Sequence, residues 1–216
     1  MTVVVKTSSF IEFLSNLLSK NIFKKHEREA IYILSLSENE KLDYSKIRDV
    51  KSLEKYKNLI SAQELSSLLS KGGLTAHFQP ILDVKTNTIY GYETLARGVN
   101  EDGTLVYPDK LFTWAKDGDM LFYLDRACRE SSLKTAAIKN IRAKVFINFI
   151  PTAIYDPNHC LQSTVKWAKS LEFDPKNVIF EVVESENIED IEHLKNILNF
   201  YKSKGFMVAL DDVGSG

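Results

Sequence analysis

Apolar residues in the later part of the chain gather into short continuous runs separated by longer stretches of helical spacing, while the beginning shows helical spacing alone. Short apolar runs bounded by turn residues predict buried strands, and apolar positions recurring every three or four residues predict helices. By this pattern strands fall at His77 to Val84, Thr88 to Ala96, Lys144 to Ile150, Val178 to Val183 and Phe206 to Val213. Helices fall at about Asp109 to Lys116, Asp119 to Lys139, Cys160 to Leu171 and Glu189 to Lys204, with Pro108 as a first helical residue and Gly205 as a stop. Only Lys85-Thr86-Asn87 separates the first two strands, which is too short for a parallel crossover, so they are antiparallel neighbours. Pro80 places the first of them at an edge or a bulge. From the second strand onward the order is βαβαβαβ with nearly all-apolar strands, the signature of a parallel sheet covered by helices. An open doubly wound sheet and part of a barrel both satisfy this order. No Gly-rich phosphate loop follows any strand, so a dinucleotide fold has little support.

Residues 1–73 read as a helical extension or linker ahead of this α/β unit, which occupies 74–216. Ser9 with Glu12, and Ser61 with Glu64, have capping-box spacing, and Gly72 would end the second helix. Between them, His26 to Leu36 carries apolar residues at helical spacing. Lys41 to Lys57, dense in both signs of charge, reads as a solvated helix or linker.

Composition narrows the partners. A chain of 216 residues is long enough for one sizeable domain plus an appendage. A formal net charge of −1 provides no basic field for DNA or RNA, so a nucleic-acid polymer is not an expected partner. Cys128 and Cys160 lack metal-ligand spacing and suit free thiols in a reducing compartment. No apolar run has the length of a signal core or a membrane span, which makes the cytoplasm the expected location.

Polar residues at the strand ends are what the apolar pattern does not account for. Glu93 and Arg97 share a face with Leu95, Asn148 lies on the face of Phe146 and Ile150, and Glu181 lies on the face of Ile179, with Glu184 just beyond. The last strand runs into Asp211 and Asp212, which point to opposite sides in a regular strand, so one reaches a common site only through a bend. Each has a plainer role open to it: a helix cap or salt bridge for the aspartates, a turn for Asn148, a lysine partner for Glu181, a surface position for Arg97. Their shared register argues for a joint site, because in barrels active groups stand at the carboxyl ends of the strands. Oxygen donors alone, without His or Cys, favour Mg²⁺ or Mn²⁺ over zinc. His26, His77, His159 and His193 fall outside the set and read as surface or packing residues.

The segments H-F-Q-P-I-L-D, G-Y-E-T-L-A-R-G, F-I-N-F-I-P, I-F-E-V-V-E-S and V-A-L-D-D-V-G-S-G stand in this order from about Leu74 to Gly216. In this they resemble the EAL-domain family of cyclic-di-GMP phosphodiesterases. The resemblance implies a TIM-like (β/α) barrel with an antiparallel first strand, incomplete in this chain. It implies metal-dependent hydrolysis of cyclic-di-GMP to linear pGpG, with two Mg²⁺ or Mn²⁺ ions. By it, Glu93, Asn148, Glu181, Asp211 and Asp212 match metal ligands, with Glu93, Asp211 and Asp212 carrying the catalysis, while Gln79 and Arg97 match residues that hold the dinucleotide. Glu184 matches the acid steadying the loop after Asp-Asp, a loop associated with dimerisation, which leaves a homodimer open. Thr94 stands where the family name has Ala, and Val183, Val213 and Ser215 replace the commoner Thr, Phe and Thr. The family pattern continues past this point with strands bearing a lysine, a glutamate and a glutamine, so turnover by these residues alone is not expected. A catalytically silent cyclic-di-GMP receptor is the alternative.

Overall fold

The computed structural model describes residues 5–37, 40, 43–182 and 190–211. Helix α1 (Phe10–Ser19) begins where Ser9 accepts the Glu12 N–H at 3.3 Å, as its capping spacing predicts. Helix α2 is confined to Lys25–Ala30. Continuation to Leu36 is pre-empted by β1 (Tyr32–Ile33), whose aromatic and β-branched residues pair antiparallel with β2 (Lys51–Ser52). The charged stretch before β2 is neither one helix nor a linker: Asp43 caps a 3₁₀ turn at Tyr44–Asp49 through the Ser45 N–H.

Helix α3 (Leu53–Ser70) starts at Ser52, which accepts the Lys55 N–H at 3.1 Å, and not at Ser61. Ser61 sits inside the helix because its hydroxyl has a tertiary partner, donating to the Asp117 carboxylate at 3.2 Å, which also pairs with Lys57. The chain leaves α3 through Gly72 at φ +67°, a left-handed position suited to glycine.

Strands β3 (Leu74–Asp83), β4 (Thr88–Val99), β5 (Leu105–Val106), β6 (Lys144–Phe149), β7 (Val178–Val182) and β8 (Met207–Leu210) form one sheet. Its order is β3-β4-β6-β7-β8, with β5 paired to β4. The β3–β4 pair is antiparallel across a tight turn in which Asn87 adopts φ +54°. Pro80 lies on the edge strand β3, one residue from a bulge at Ile81/Leu82. The β4–β6, β6–β7 and β7–β8 pairs are all parallel. Among the described residues the sheet stays open, with β3 and β8 as its edges.

Helices α4 (Pro108–Asp117) and α5 (Leu121–Ile138) connect β5 to β6, and α6 (Pro157–Cys160) with α7 (Gln162–Ser170) leads to β7. Asp156 caps α6 separately, so the helix expected near Cys160 to Leu171 is two. Helix α8 (Ile191–Ser203) precedes β8 and is followed by Gly205 at φ +87°. Alternation sorts the strand side chains. Val145, Ile147, Phe149, Val178, Phe180 and Val182 bury one face against Leu133, Leu161, Ala168, Ile197 and Tyr201. A second cluster joins Leu65 and Leu68 of α3 to Val106, Leu111, Ala115 and Leu124. The opposite face of the sheet carries Glu93, Phe146, Asn148 and Glu181.

Candidate functional site

Register brings the strand-end residues together. Gln79 stands directly across from Glu93 in the β3–β4 pair, and Asn148 stands beside Glu181 in the β6–β7 pair. Ala209 pairs with Glu181, so Asp211, two residues on, leaves β8 on the same side, at a bend in the chain. The Asp211 N–H donates to the Val182 carbonyl at 3.1 Å, which holds that bend against β7.

Two of these side chains meet directly. Asn148 Nδ2 donates to Glu93 Oε1 at 2.9 Å across adjacent strands, and Asn148 Oδ1 is buried with no hydrogen-bond partner among the described residues. The Glu181 carboxyl is pushed up to about 7, first by burial and then by the negative charges of Glu93 and Asp211. Three carboxylates and an amide thus share one electrostatic neighbourhood. Among the described residues no three His, Cys, Asp or Glu side chains lie close enough together to hold an ion. Asp212 and Glu184 lie outside the described residues.

Arg97 stands at the rim, farther along β4 than Glu93. Its Nη1 donates to the Ala96 carbonyl at 2.7 Å and its Cζ lies 5.2 Å from the centre of the Tyr107 ring. The histidines stay apart from the site: His26, His77 and His159 are exposed, and His193 hydrogen-bonds the Ile154 carbonyl.

Three residues that the sequence reading did not single out bear on this region, a buried pair and a ring. Asp125 and Arg129 form a fully buried i,i+4 pair on α5, 2.9 Å apart. Asp125 Oδ1 accepts the Ile150 N–H at 2.9 Å, tethering the backbone just past Asn148. Arg129 also donates to Thr164 on α7, and the adjoining acid keeps its guanidinium protonated despite its burial. An acid and an arginine four apart on the inner side of a helix was the available signal. The third is Tyr107, the residue before Pro108. A cavity of about 280 Å³ lies between the sheet and α4–α5, lined by Thr94, Ala96, Pro108, Phe112 and Cys128 and reaching Asn148. Burial, with Asp125 adding to it, pushes the Cys128 thiol up to about 12, so it stays protonated and unreactive.

Comparison with known proteins places this arrangement. The family model described as EAL domain matches residues 62–216. A protein of Escherichia coli K12 named "Probable cyclic di-GMP phosphodiesterase PdeG" is 26% identical over 170 residues, covering 76% of this chain and 33% of that protein. The crystal structure of a standalone versatile EAL protein from Vibrio cholerae O395 in its c-di-GMP bound form is 37% identical. It matches with a TM-score of 0.56 over 66% of this chain and 58% of that one. The FimX EAL domain from Pseudomonas aeruginosa bound to c-di-GMP is 20% identical. Its TM-score is 0.63 over 72% of this chain and 63% of that one. This chain therefore spans less than two thirds of each of these proteins. The fold is the TIM-like α/β barrel of these structures, not closed among the described residues. With the strand-end residues in register and the family matched from α3 to the last residue, the chain belongs to the EAL domain family.

Proposed function

We propose that the strand-end cluster serves divalent-cation-dependent hydrolysis of cyclic-di-GMP to linear pGpG by the protein that carries this chain, in the cytoplasm. The single observation that carries this reading is Asn148 bound to Glu93 in the same field as Glu181 and Asp211. The relatives' names and the cyclic-di-GMP held by the two EAL structures supply the substrate class.

The residues fit a hard cation. Every donor is an oxygen, the amide oxygen of Asn148 is buried without a partner, and a carboxyl pushed up by neighbouring negative charge is relieved by positive charge. Glu93, Asn148, Glu181 and Asp211 would hold Mg²⁺ or Mn²⁺, and Asp212 would serve a second ion. Such ions supply charge that polarises a phosphodiester oxygen and acidifies water. The rest falls to the chain itself. Asn148 fixes the Glu93 carboxylate through its amide N–H, Arg97 grips a phosphate oxygen, and Gln79 holds the dinucleotide across from Glu93. Glu184 steadies the loop after Asp211 and Asp212, around which a homodimer would form.

The test is conversion of cyclic-di-GMP to pGpG, followed by chromatography with and without Mg²⁺, on this chain and on protein that continues past Gly216. Conversion that EDTA and Glu93→Gln both abolish supports the proposal; none in the longer protein defeats it. A receptor without turnover is the second reading. Calorimetry separates the two, since a receptor binds cyclic-di-GMP without metal and leaves it intact.

A further inference from the structure

We infer that Tyr107 is a positioning residue for Arg97 and sets the affinity of the rim for the phosphate of its ligand. This rests on the function proposed above. Strand β5 pairs antiparallel with β4 at Gly98↔Val106, so one step further along the pair Tyr107 falls opposite Arg97 on the same face. Pro108 opens α4 immediately afterwards, and Tyr107 keeps an extended backbone at φ −82°, ψ 161°, so the ring is placed by the pairing on one side and the helix start on the other.

The guanidinium answers to that placement. Its Cζ sits 5.2 Å from the ring centre, within cation–π range, and Nη1 is taken by the Ala96 carbonyl. Nε is buried and has no hydrogen-bond partner among the described residues. A side chain with four rotatable bonds is thus held by its outer end, on the face of β4 that also carries Glu93 and with Nε unpartnered among the described residues. Ordering it beforehand lowers the cost of gripping an anion. Tyr107 itself is 55% exposed, so the ring can be changed without opening the core.

The experiment is equilibrium titration of cyclic-di-GMP by calorimetry, with Tyr107→Ala and Tyr107→Phe each made in protein that continues past Gly216 and, within it, in an Arg97→Ala background. The inference expects Tyr107→Ala to weaken binding about fivefold to tenfold, Tyr107→Phe to restore it, and neither change to matter once Arg97 is gone. Unchanged binding by Tyr107→Ala overturns it. So does an equal loss in the Arg97→Ala background, which would mean that the ring touches the nucleotide directly. Failure of protein that continues past Gly216 to bind cyclic-di-GMP defeats the proposed function, and the inference with it.

Discussion

Glu181 carries a conflict that its neighbours in sequence do not reveal. In the folded chain its carboxyl titrates at about 7 against an ordinary 4.5, because burial and two facing carboxylates disfavour the charge. The folded state therefore holds a proton that the unfolded state has already released. This contribution is intact below about 4.5 and is lost as pH rises through about 7. Glu181→Gln should accordingly raise the melting temperature well above pH 7 and change it little near pH 4, in thermal unfolding followed by circular dichroism without divalent cation. An equal rise at both pH values would place the effect in packing instead. Thr94, where the family name has Ala, proves to have a partner: its hydroxyl donates to the Phe146 carbonyl at 2.8 Å and ties β4 to β6. The oxygen donors were legible in the sequence because alternation assigns a face to each residue once the strand is known. Tyr107 was not, since its pairing with Arg97 depends on a two-residue strand, β5, with no apolar periodicity to announce it.

Among the elements, close approach and buried charge decide where tolerance ends. A Cβ on Gly98 of β4 would stand 2.9 Å from both Leu68 Cδ1 of α3 and Val106 Cβ of β5. Gly98→Ala should cost about 1–3 kcal/mol in urea unfolding, since the β-branched Val106 cannot turn aside. A cost below a few tenths of that range would show that α3 can withdraw freely. The Asp125–Arg129 pair is harsher, because removing one partner leaves the other charged and buried. Asp125→Ala should destabilise by about 3–5 kcal/mol, and a neutral result would contradict the pair's burial. The long helices and parallel strands followed from periodicity, and their ends shifted by only a few residues. Beyond the split of α6 from α7 and the unforeseen β5, the failures came in the first seventy-odd residues, at α2–β1 and at the start of α3. There the outcome turned on tertiary partners, the Ile31–Leu53 and Ser61–Asp117 hydrogen bonds, against which local propensity counts for little.

At the scale of the molecule, the sheet is open among the described residues and its edge strand β8 exposes Met207 and Leu210, the latter by 60%. Its stability should therefore respond to whatever neutralises the strand ends. Millimolar Mg²⁺ should raise the melting temperature of the chain, EDTA should reverse the rise, and Asp211→Asn should suppress it, as mass action requires of a ligand that binds only the folded state. A Mg²⁺ response unaltered in that variant would locate the ion elsewhere. By itself the sequence determined the α/β class, the antiparallel first pair and the parallel run after it. All of these follow from side-chain alternation and from loop lengths too short to permit anything else. Only the tertiary structure decided that Asn148 grips Glu93, that a buried Asp125 tethers the backbone beside them, and that Tyr107 lies against Arg97. Those contacts join residues distant along the chain, and their geometry comes into being only when register and helix packing are set together.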